Sequence, residues 1–343
     1  MSAPAAYTVH AADLARDREL ILGLWRGNLG QDARMAAKYD WFYRQCPYGE
    51  PLTLLLRHED SGAWVGVASA GPRRMRLDGR EATAGVLVDL AVLPEHRSLG
   101  PALMLQMALM EAGTQRFDLL YGFPNPKATA VFKRVGYASL GELSRHARVL
   151  RHGGYVRRKL PALLAAPAGA LLDLADRVRL WSRTGGLRAD WQPRADESLA
   201  GVWSSASAGP GPVAVRDLDF LRWRIDDSPL LEARYLVVRE RAGTPVAWFA
   251  CEAREHSLHV VDFWTAQGAA GPTQAQLAAL LRAARGAGRP SVSIELSAAA
   301  ATEAWRAAGF AAREGRPVFG RAREAQADAL TARAWLTTAD EDE

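Results

Sequence analysis

Apolar residues recur with strand-like and helix-like periods along the first half of the chain. A helical spacing predicts two helices, over residues 14–29 and 32–44. Alternating or continuous apolar stretches predict strands at residues 7–10, 52–58, 65–71, 75–77 and 82–92. Asp78 and Gly79 fit a tight turn before the last and longest of these strands. The pattern therefore predicts an α/β chain in which a strand and two helices precede a meander of strands.

The junction that follows the longest predicted strand has the features of an anion site. The apolar run ends near Pro94, and Arg97-x-x-Gly100-x-Ala102 then leads into the helical pattern of residues 103–113. A strand, a turn and a helix N-terminus in this order present unpaired N–H groups and the positive end of the helix dipole to a ligand. Gly100 lets that ligand approach the backbone closely. The junction suits a phosphate or pyrophosphate, although it is neither a P-loop nor a dinucleotide fingerprint.

A second motif follows within residues 119–142. It consists of Asn125-x-x-Ala128, an aromatic residue at Phe132, and the pair Gly136-Tyr137. In this order and spacing, the two motifs resemble those of the GNAT superfamily of acyl-CoA N-acyltransferases, over residues 84–137. The resemblance implies an α/β (α+β) GNAT fold, with a mixed, mostly antiparallel central sheet flanked by helices. It also implies acetyl-CoA, or another acyl-CoA, as the co-substrate.

The resemblance assigns residues to that co-substrate. Its pyrophosphate would bind the backbone of Arg97, Ser98, Leu99, Gly100 and Ala102. Its pantetheine arm would lie along Leu90, Ala91 and Val92, where a backbone N–H would polarise the thioester carbonyl. Asn125 would bond the pantetheine arm, or simply end its strand. Pro101 cannot donate an N–H, but it suits the start of a helix.

Acyl transfer to an amine also needs a base. Asp89 is the ionisable side chain within the long strand and is the first candidate. A structural role for Asp89, as the partner of an arginine or the cap of a loop, is the alternative. Further candidates are Glu95 and His96, which are expected to face solvent, and Glu81.

The leaving thiolate needs a proton, and many family members carry a tyrosine where this chain has Phe132. Either Tyr121 or Tyr137 would supply the proton, or the thiolate leaves unaided, since a thiol is a fair leaving group. Both tyrosines could equally be core aromatics of their strands.

The second half of the chain echoes the first. Trp41-x5-Pro47 is matched by Trp223-x5-Pro229, and later aromatic and glycine positions follow in the same order. The echo predicts a GNAT domain at residues 1–154, a helical connector at 155–213, a degenerate GNAT-like domain at 214–325 and a tail at 326–343. A chance similarity is the alternative. Because the second half lacks the Arg-x-x-Gly-x-Ala turn, we expect it to have lost CoA binding.

The connector and the tail have their own compositions. Residues 156–182 form an apolar stretch with basic residues, among them Arg157, Arg158, Lys159, Arg177 and Arg179. One interpretation is peripheral contact with an anionic membrane. The other is a helical connector that packs against the two lobes. The acidic residues 339–343 are expected to be disordered and solvating.

Composition limits the remaining choices. The net charge of +5 favours an anionic ligand without identifying it. Two cysteines, Cys46 and Cys251, imply no disulfide framework and fit a cytoplasmic protein, and no signal peptide or metal motif is recognisable. We expect no metal and no DNA or RNA partner.

The sequence thus predicts an N-acetyltransferase that acts on a small-molecule or glycan-linked amine. Two alternatives stay open. One is a FemX-like ligase that takes its donor from aminoacyl-tRNA, and the other is an acyl-CoA-binding module without turnover.

Overall fold

The computed structural model describes residues 6–30, 32–97, 99–153, 162–323 and 334–341. The helices of the first half are α1 Arg18–Trp25, α2 Met35–Lys38, α3 Leu99–Arg116 and α4 Pro126–Val135, with a π-helical turn at Tyr39–Arg44 and 3₁₀ turns at Asp32–Arg34 and Pro94–His96. Its strands are β1 Tyr7–Ala11, β2 Leu52–His58, β3 Ala63–Leu77, β4 Arg80–Val92, β5 Leu119–Gly122 and β6 Ala138–Val149.

The second half repeats this order of elements. Its helices are α5 Ala162–Arg183, α6 Glu197–Ser204, α7 Leu218–Leu221, α8 Gln274–Gly286 and α9 Ala299–Ala307, with a π-helical turn at Arg222–Asp226 and 3₁₀ turns at Gly268–Ala270 and Thr338–Asp340. Its strands are β7 Arg188–Gln192, β8 Val213–Ala214, β9 Ala233–Arg239, β10 Pro245–Arg254, β11 Ser257–Thr265, β12 Ser291–Leu296 and β13 Ala311–Ala322.

The described strands form one sheet in which the two halves exchange their last strands. The order is β1-β2-β3-β4-β5-β13-β6-β12-β11-β10-β9-β7, and β8 adds to β3. Two pairs, β4 with β5 and β11 with β12, are parallel, and the others are antiparallel. The mixed, mostly antiparallel sheet flanked by helices confirms the predicted fold class. The boundaries 1–154, 155–213, 214–325 and 326–343 stay predictions, and hydrogen-bonded strands cross them.

The predicted strands of the first half are all found, with one difference in how they are divided. β2 has the predicted bounds, and Asp78 and Gly79 join β3 to β4 with positive φ values of 50° and 77°. The predicted strands 65–71 and 75–77 are one strand, β3. Pro72 is tolerated within it because the pairing with β2 ends at Ala70, so no neighbour on that side needs its missing N–H.

Two tryptophans mark the junction of the halves. Trp41 and Trp223 lie at matching places in the two π-helical turns and stack with ring centroids 5.2 Å apart. Each indole nitrogen donates to the backbone carbonyl of the other, at 2.7 Å from Trp41 and 3.1 Å from Trp223. This reciprocal pair is what a local two-fold relation between the halves would produce.

The C-terminal residues 334–341 are packed into the molecule. Trp335, Thr337 and Asp340 are buried, and Arg216 bonds both Asp340 (2.8 Å) and Asp262 (3.0 Å). The expectation of a solvating acidic tail is therefore wrong for Ala339, Asp340 and Glu341. Burial of Asp340 is sustained because the buried guanidinium of Arg216 neutralises it.

None of the helices in the described part of the chain combines the length and the apolar composition that crossing a bilayer requires.

Candidate active site

A β-bulge interrupts β4 at the predicted base. Val88 pairs with Ser69 and Ala91 with Val67, so that Asp89 and Leu90 share a single opposite residue on β3. Asp89 has a φ of 55°, in the left-handed region that residues other than glycine seldom adopt. The bulge turns the end of β4 and re-aims the Asp89 side chain.

The Asp89 carboxylate receives two hydrogen bonds from the segment that precedes β2. Lys38 Nζ donates to Oδ1 at 2.8 Å, and the Tyr43 hydroxyl donates to Oδ2 at 2.7 Å. α2 and the adjoining π-helical turn supply both donors, and Tyr39 stacks on Tyr43 with ring centroids 4.9 Å apart. Among the described residues, a lysine and a tyrosine thus bond this carboxylate, two partners that the sequence had not suggested.

A cavity of about 460 Å³ opens beside this carboxylate. Asp89 and Leu90 line it from the bulge, and Lys38 lines it from α2. Phe132 contributes from α4, and Glu341 from the C-terminal segment. The cavity therefore combines apolar walls with carboxylates and cations, as small-molecule sites commonly do.

The turn before α3 has the predicted strand–turn–helix form. α3 begins at Leu99, Gly100 is exposed, and Pro101 falls in the first turn, where N–H groups have no partner within the helix. Arg97 Nε donates to the Val92 carbonyl at 3.0 Å, and its guanidinium also bonds the Asn28 side chain. The Arg97 side chain thus braces the turn.

Of the other residues predicted to bind the co-substrate, some line the cavity and others do not. Leu90 and Asn125 line it, whereas Arg97, Gly100 and Ala102 lie outside its lining, and Ala91 and Val92 are buried in β4. Ser98 lies outside the described residues. The Asn125 side-chain oxygen accepts from the Ala128 N–H at 2.9 Å, which makes Asn125 the N-cap of α4. Its contact with pantetheine stays a prediction.

Both predicted proton donors are buried. Tyr121 donates to the Asp340 carbonyl at 3.0 Å, and Tyr137 lies behind Phe132 with ring centroids 5.0 Å apart. Among the described residues, the buried Tyr137 hydroxyl has no hydrogen-bond partner. Burial raises the pKa of both tyrosines, so both are weak acids at neutral pH. Neither lines the cavity as the structure describes it.

The lesser base candidates also lie elsewhere. His96 Nδ1 and the Tyr7 hydroxyl are hydrogen-bonded at 3.0 Å, Glu95 is exposed, and Glu81 pairs with Arg74 and Arg76 near the β3–β4 turn. Within the described ranges, none of the three candidates lines the cavity.

Sequence reasoning missed Lys38, Tyr43 and Glu341. A signal existed for the first two, since Lys38 stands among aromatic residues in a segment that was predicted only as a helix. No local signal marks Glu341, because the acidic run to which it belongs resembles a solvated tail.

In the second half, the C-terminal segment packs against β11 and the end of β12. Leu336 N donates to Ser297 Oγ at 3.0 Å just beyond β12, and the Thr337 hydroxyl donates to Asp262 of β11 at 2.8 Å. Trp335 packs on Trp264 with ring centroids 5.0 Å apart. The C-terminal segment thus bridges β11 and β12. This parallel pair is the counterpart of β4 and β5 in the first half.

Comparison with known proteins identifies the fold. A probable N-acyltransferase from Enterococcus faecalis superposes with a TM-score of 0.64 at 10% identity, covering 94% of this chain and 74% of that one. A GCN5-related N-acetyltransferase from Anabaena variabilis gives 0.63 at 11% identity, covering 95% and 75%. The N-myristoyltransferase of Saccharomyces cerevisiae, solved with myristoyl-CoA, gives 0.52 at 12% identity, covering 93% and 83%.

These similarities show that the chain has the GNAT fold, as the sequence motifs predicted. No protein-family model and no curated protein sequence matches the chain.

Proposed function

We propose that this chain is an acyl-CoA-dependent N-acyltransferase that moves an acetyl group from acetyl-CoA to an amine by direct attack. The observation that carries the proposal is the bulge of β4, which places a buried carboxylate at a cavity bordered by the end of β4 and the start of α4. The N-acetyltransferase named among the similar structures supports the reaction class, and the yeast enzyme is named with myristoyl-CoA.

The residues present fit an acyl-CoA co-substrate. The N-terminus of α3 would hold its pyrophosphate, with Arg97 bracing the turn and Gly100 leaving the backbone open. Leu90 has no partner residue of its own on β3, and its amide is the candidate to polarise the thioester carbonyl.

Asp89 acts in the proton transfer. It accepts a proton from the acceptor ammonium, directly or through water, while Lys38 and Tyr43 keep its carboxylate in place. The amine nitrogen then forms a bond to the acyl carbon, the carbon–sulfur bond breaks to release the CoA thiolate, and the nitrogen gives its second proton to solvent. Because burial raises the pKa of Tyr121 and Tyr137, the thiolate takes its proton from solvent after it leaves.

Charged residues of both signs line the cavity, among them the cations Arg34, Lys38 and Arg316. Asp89 and Glu341 both line it, and Arg316 bonds Glu341 at 2.7 Å, which holds that second carboxylate at the wall. The Asp89 carboxylate attracts an ammonium group locally before it accepts the proton. The acceptor we propose is therefore a primary amine, free or carried on a glycan.

A thiol-release assay tests the proposal. The purified protein is incubated with acetyl-CoA and a panel of amines that includes amino sugars, and released CoA is measured. We expect amine-dependent release, reduced about 100-fold or more in Asp89→Asn, because general-base catalysis contributes at least that much. Asp78→Asn is the matched control, since Asp78 also has a positive φ but lies in the β3–β4 turn.

Binding is measured in parallel by calorimetry. Tight binding of acetyl-CoA without release for any amine would favour a binding module, and equal rates in Asp89→Asn and the parent would remove Asp89 as the base. Absence of acetyl-CoA binding would refute the acetyl assignment, and longer acyl-CoAs and charged tRNA would be tested next.

A further inference from the structure

Exposed apolar side chains are concentrated on one helix. Among the described residues, the large apolar side chains that stand exposed are Met107, Val149 and six residues of α5: Leu164, Leu171, Leu172, Leu174, Val178 and Trp181. Leu171 is 68% exposed and Trp181 is 69% exposed. A contiguous apolar face of this kind on a protein surface marks an interaction site.

The opposite face of α5 holds the helix to the body of the protein. Leu180 is buried there, and Asp176 bonds Arg148 and also Arg285, the latter at 3.4 Å. Asp173 bonds His152 at 2.8 Å on the same face. Both acidic residues of α5 are thus used in contacts with the protein body.

The outer face carries an apolar stripe with a cation on either side. Leu171, Leu174, Val178 and Trp181 follow a spacing of three and four residues, which places them on one side of a helix. Arg177 and Arg179 flank Val178 in sequence, so they lie about 100° to either side of it. Both arginines are exposed. The outer surface of α5 therefore combines apolar and cationic residues and presents no acid.

We propose that this outer face of α5 binds an anionic membrane surface as a peripheral, in-plane helix. An apolar stripe flanked by arginines matches the boundary between acyl chains and anionic headgroups, and tryptophan favours that boundary. A second copy of the chain is a less suitable partner for this face. In a symmetric contact, Arg177 and Arg179 of the two copies would face each other with no acidic residue between them. The proposal does not depend on the proposed acyl transfer.

Vesicle flotation with the full chain tests it. The protein is mixed with vesicles of pure phosphatidylcholine and with vesicles of equal parts phosphatidylcholine and phosphatidylglycerol. We expect binding to the anionic vesicles, falling as salt is added, because salt screens the attraction. Arg177→Gln and Arg179→Gln should each weaken binding about fivefold.

Variants of the exposed apolar residues test whether α5 inserts into the membrane or is held there by charge attraction alone. Leu174→Asp combined with Trp181→Ala should reduce vesicle binding about tenfold or more, since insertion of the stripe would be lost. Met107→Asp is the matched control, because it places the same charge on an exposed apolar position of α3 and should bind vesicles like the parent.

Three results would overturn the proposal. The first is equal binding to neutral and anionic vesicles, and the second is equal vesicle binding by the parent and the double variant. The third is a parent that binds no vesicles but forms a dimer in sedimentation equilibrium, with the dimer absent in the double variant. The last result would assign the face to contact between copies of the chain.

Discussion

At the scale of single residues, Asp89 is distinguished by an unusual backbone conformation and by hydrogen bonds from Lys38 and Tyr43. A left-handed backbone conformation at a residue other than glycine destabilises the folded state by about 1–2 kcal/mol. A hydrogen bond to a charged group contributes about 1.5–3 kcal/mol, and Asp89 receives one from Lys38 and one from Tyr43. The donors therefore outweigh the strain, and the bulge persists because its side chain is bound.

Tyr43→Phe tests whether that binding positions Asp89 for catalysis. The variant keeps the ring and removes the 2.7 Å hydrogen bond to Asp89. We expect the free energy of unfolding to fall by about 2 kcal/mol. We also expect kcat to fall about tenfold, because a misplaced catalytic group loses rate steeply.

Tyr39→Phe is the control for Tyr43→Phe. Tyr39 is equally buried and stacks on Tyr43, but its hydroxyl donates to the Leu14 carbonyl. We expect a similar loss in denaturant unfolding with kcat within about twofold of the parent. Equal losses of kcat in the two variants would show that Tyr43 only stabilises the fold.

At the scale of elements, the start of α3 carries the prediction of acyl-CoA binding. The peptide dipoles of its 18 residues are aligned, and their positive end lies at the turn near Arg97. The first N–H groups have no partner within the helix. The sequence motif located this turn because a strand, a turn and a helix N-terminus are all local patterns.

Gly100→Asp tests the role of that helix start. A carboxylate in the first turn of a helix favours helix formation, so the fold should be preserved. The same carboxylate would repel a pyrophosphate bound there, and we expect acetyl-CoA affinity in calorimetry to fall about tenfold or more.

Gly100→Asn is the matched control for Gly100→Asp. It adds nearly the same volume without charge, so it should weaken affinity through bulk alone and by less than Gly100→Asp does. If Asn weakened binding as much as Asp did, bulk alone would account for the loss, and the charge argument for a pyrophosphate at this turn would lose its support.

The sequence could predict local elements but not the partners that complete the site. β2 and the turn at Asp78 and Gly79 depend on neighbouring residues, and both were predicted, whereas Asn125 was expected only to bond pantetheine or to end its strand and not to cap α4. By contrast, the hydrogen bond from Lys38 to Asp89 joins residues 51 positions apart in the sequence, and the bond from Tyr121 to Asp340 joins residues 219 positions apart. Periodicity reports which face of an element is buried but not what lies against it. The exchange of β6 and β13 was missed for the same reason.

At the scale of the whole molecule, the C-terminal segment joins the second half to the first. Asp340 bonds Arg216 of the second half and accepts from Tyr121 of the first, and Glu341 reaches the cavity. His259 of β11 also holds this segment, through the Thr338 hydroxyl at 3.2 Å, while its other ring nitrogen bonds Ser293 of β12 at 3.0 Å. The segment is therefore a structural part of both halves.

His259 makes this arrangement sensitive to acid. Burial, helped by the nearby Arg254, Arg145 and Arg316, lowers the pKa of His259 from 6.5 to about 3. Between these values the unfolded chain binds a proton that the folded chain does not, so falling pH favours unfolding. The loss is about 1.4 kcal/mol for each pH unit below 6.5, down to about pH 3.

His259→Gln removes this proton uptake, and urea unfolding from pH 7.5 to about 4.5 measures the consequence. Burial raises the pKa of Asp262 to about 6, which acts in the opposite direction. Because both proteins carry Asp262, the difference between them isolates His259. We expect the parent to lose about 2–3 kcal/mol more than the variant over this range. The exposed His256→Gln should follow the parent, and parallel curves for parent and His259→Gln would show that His259 takes up its proton in the folded state.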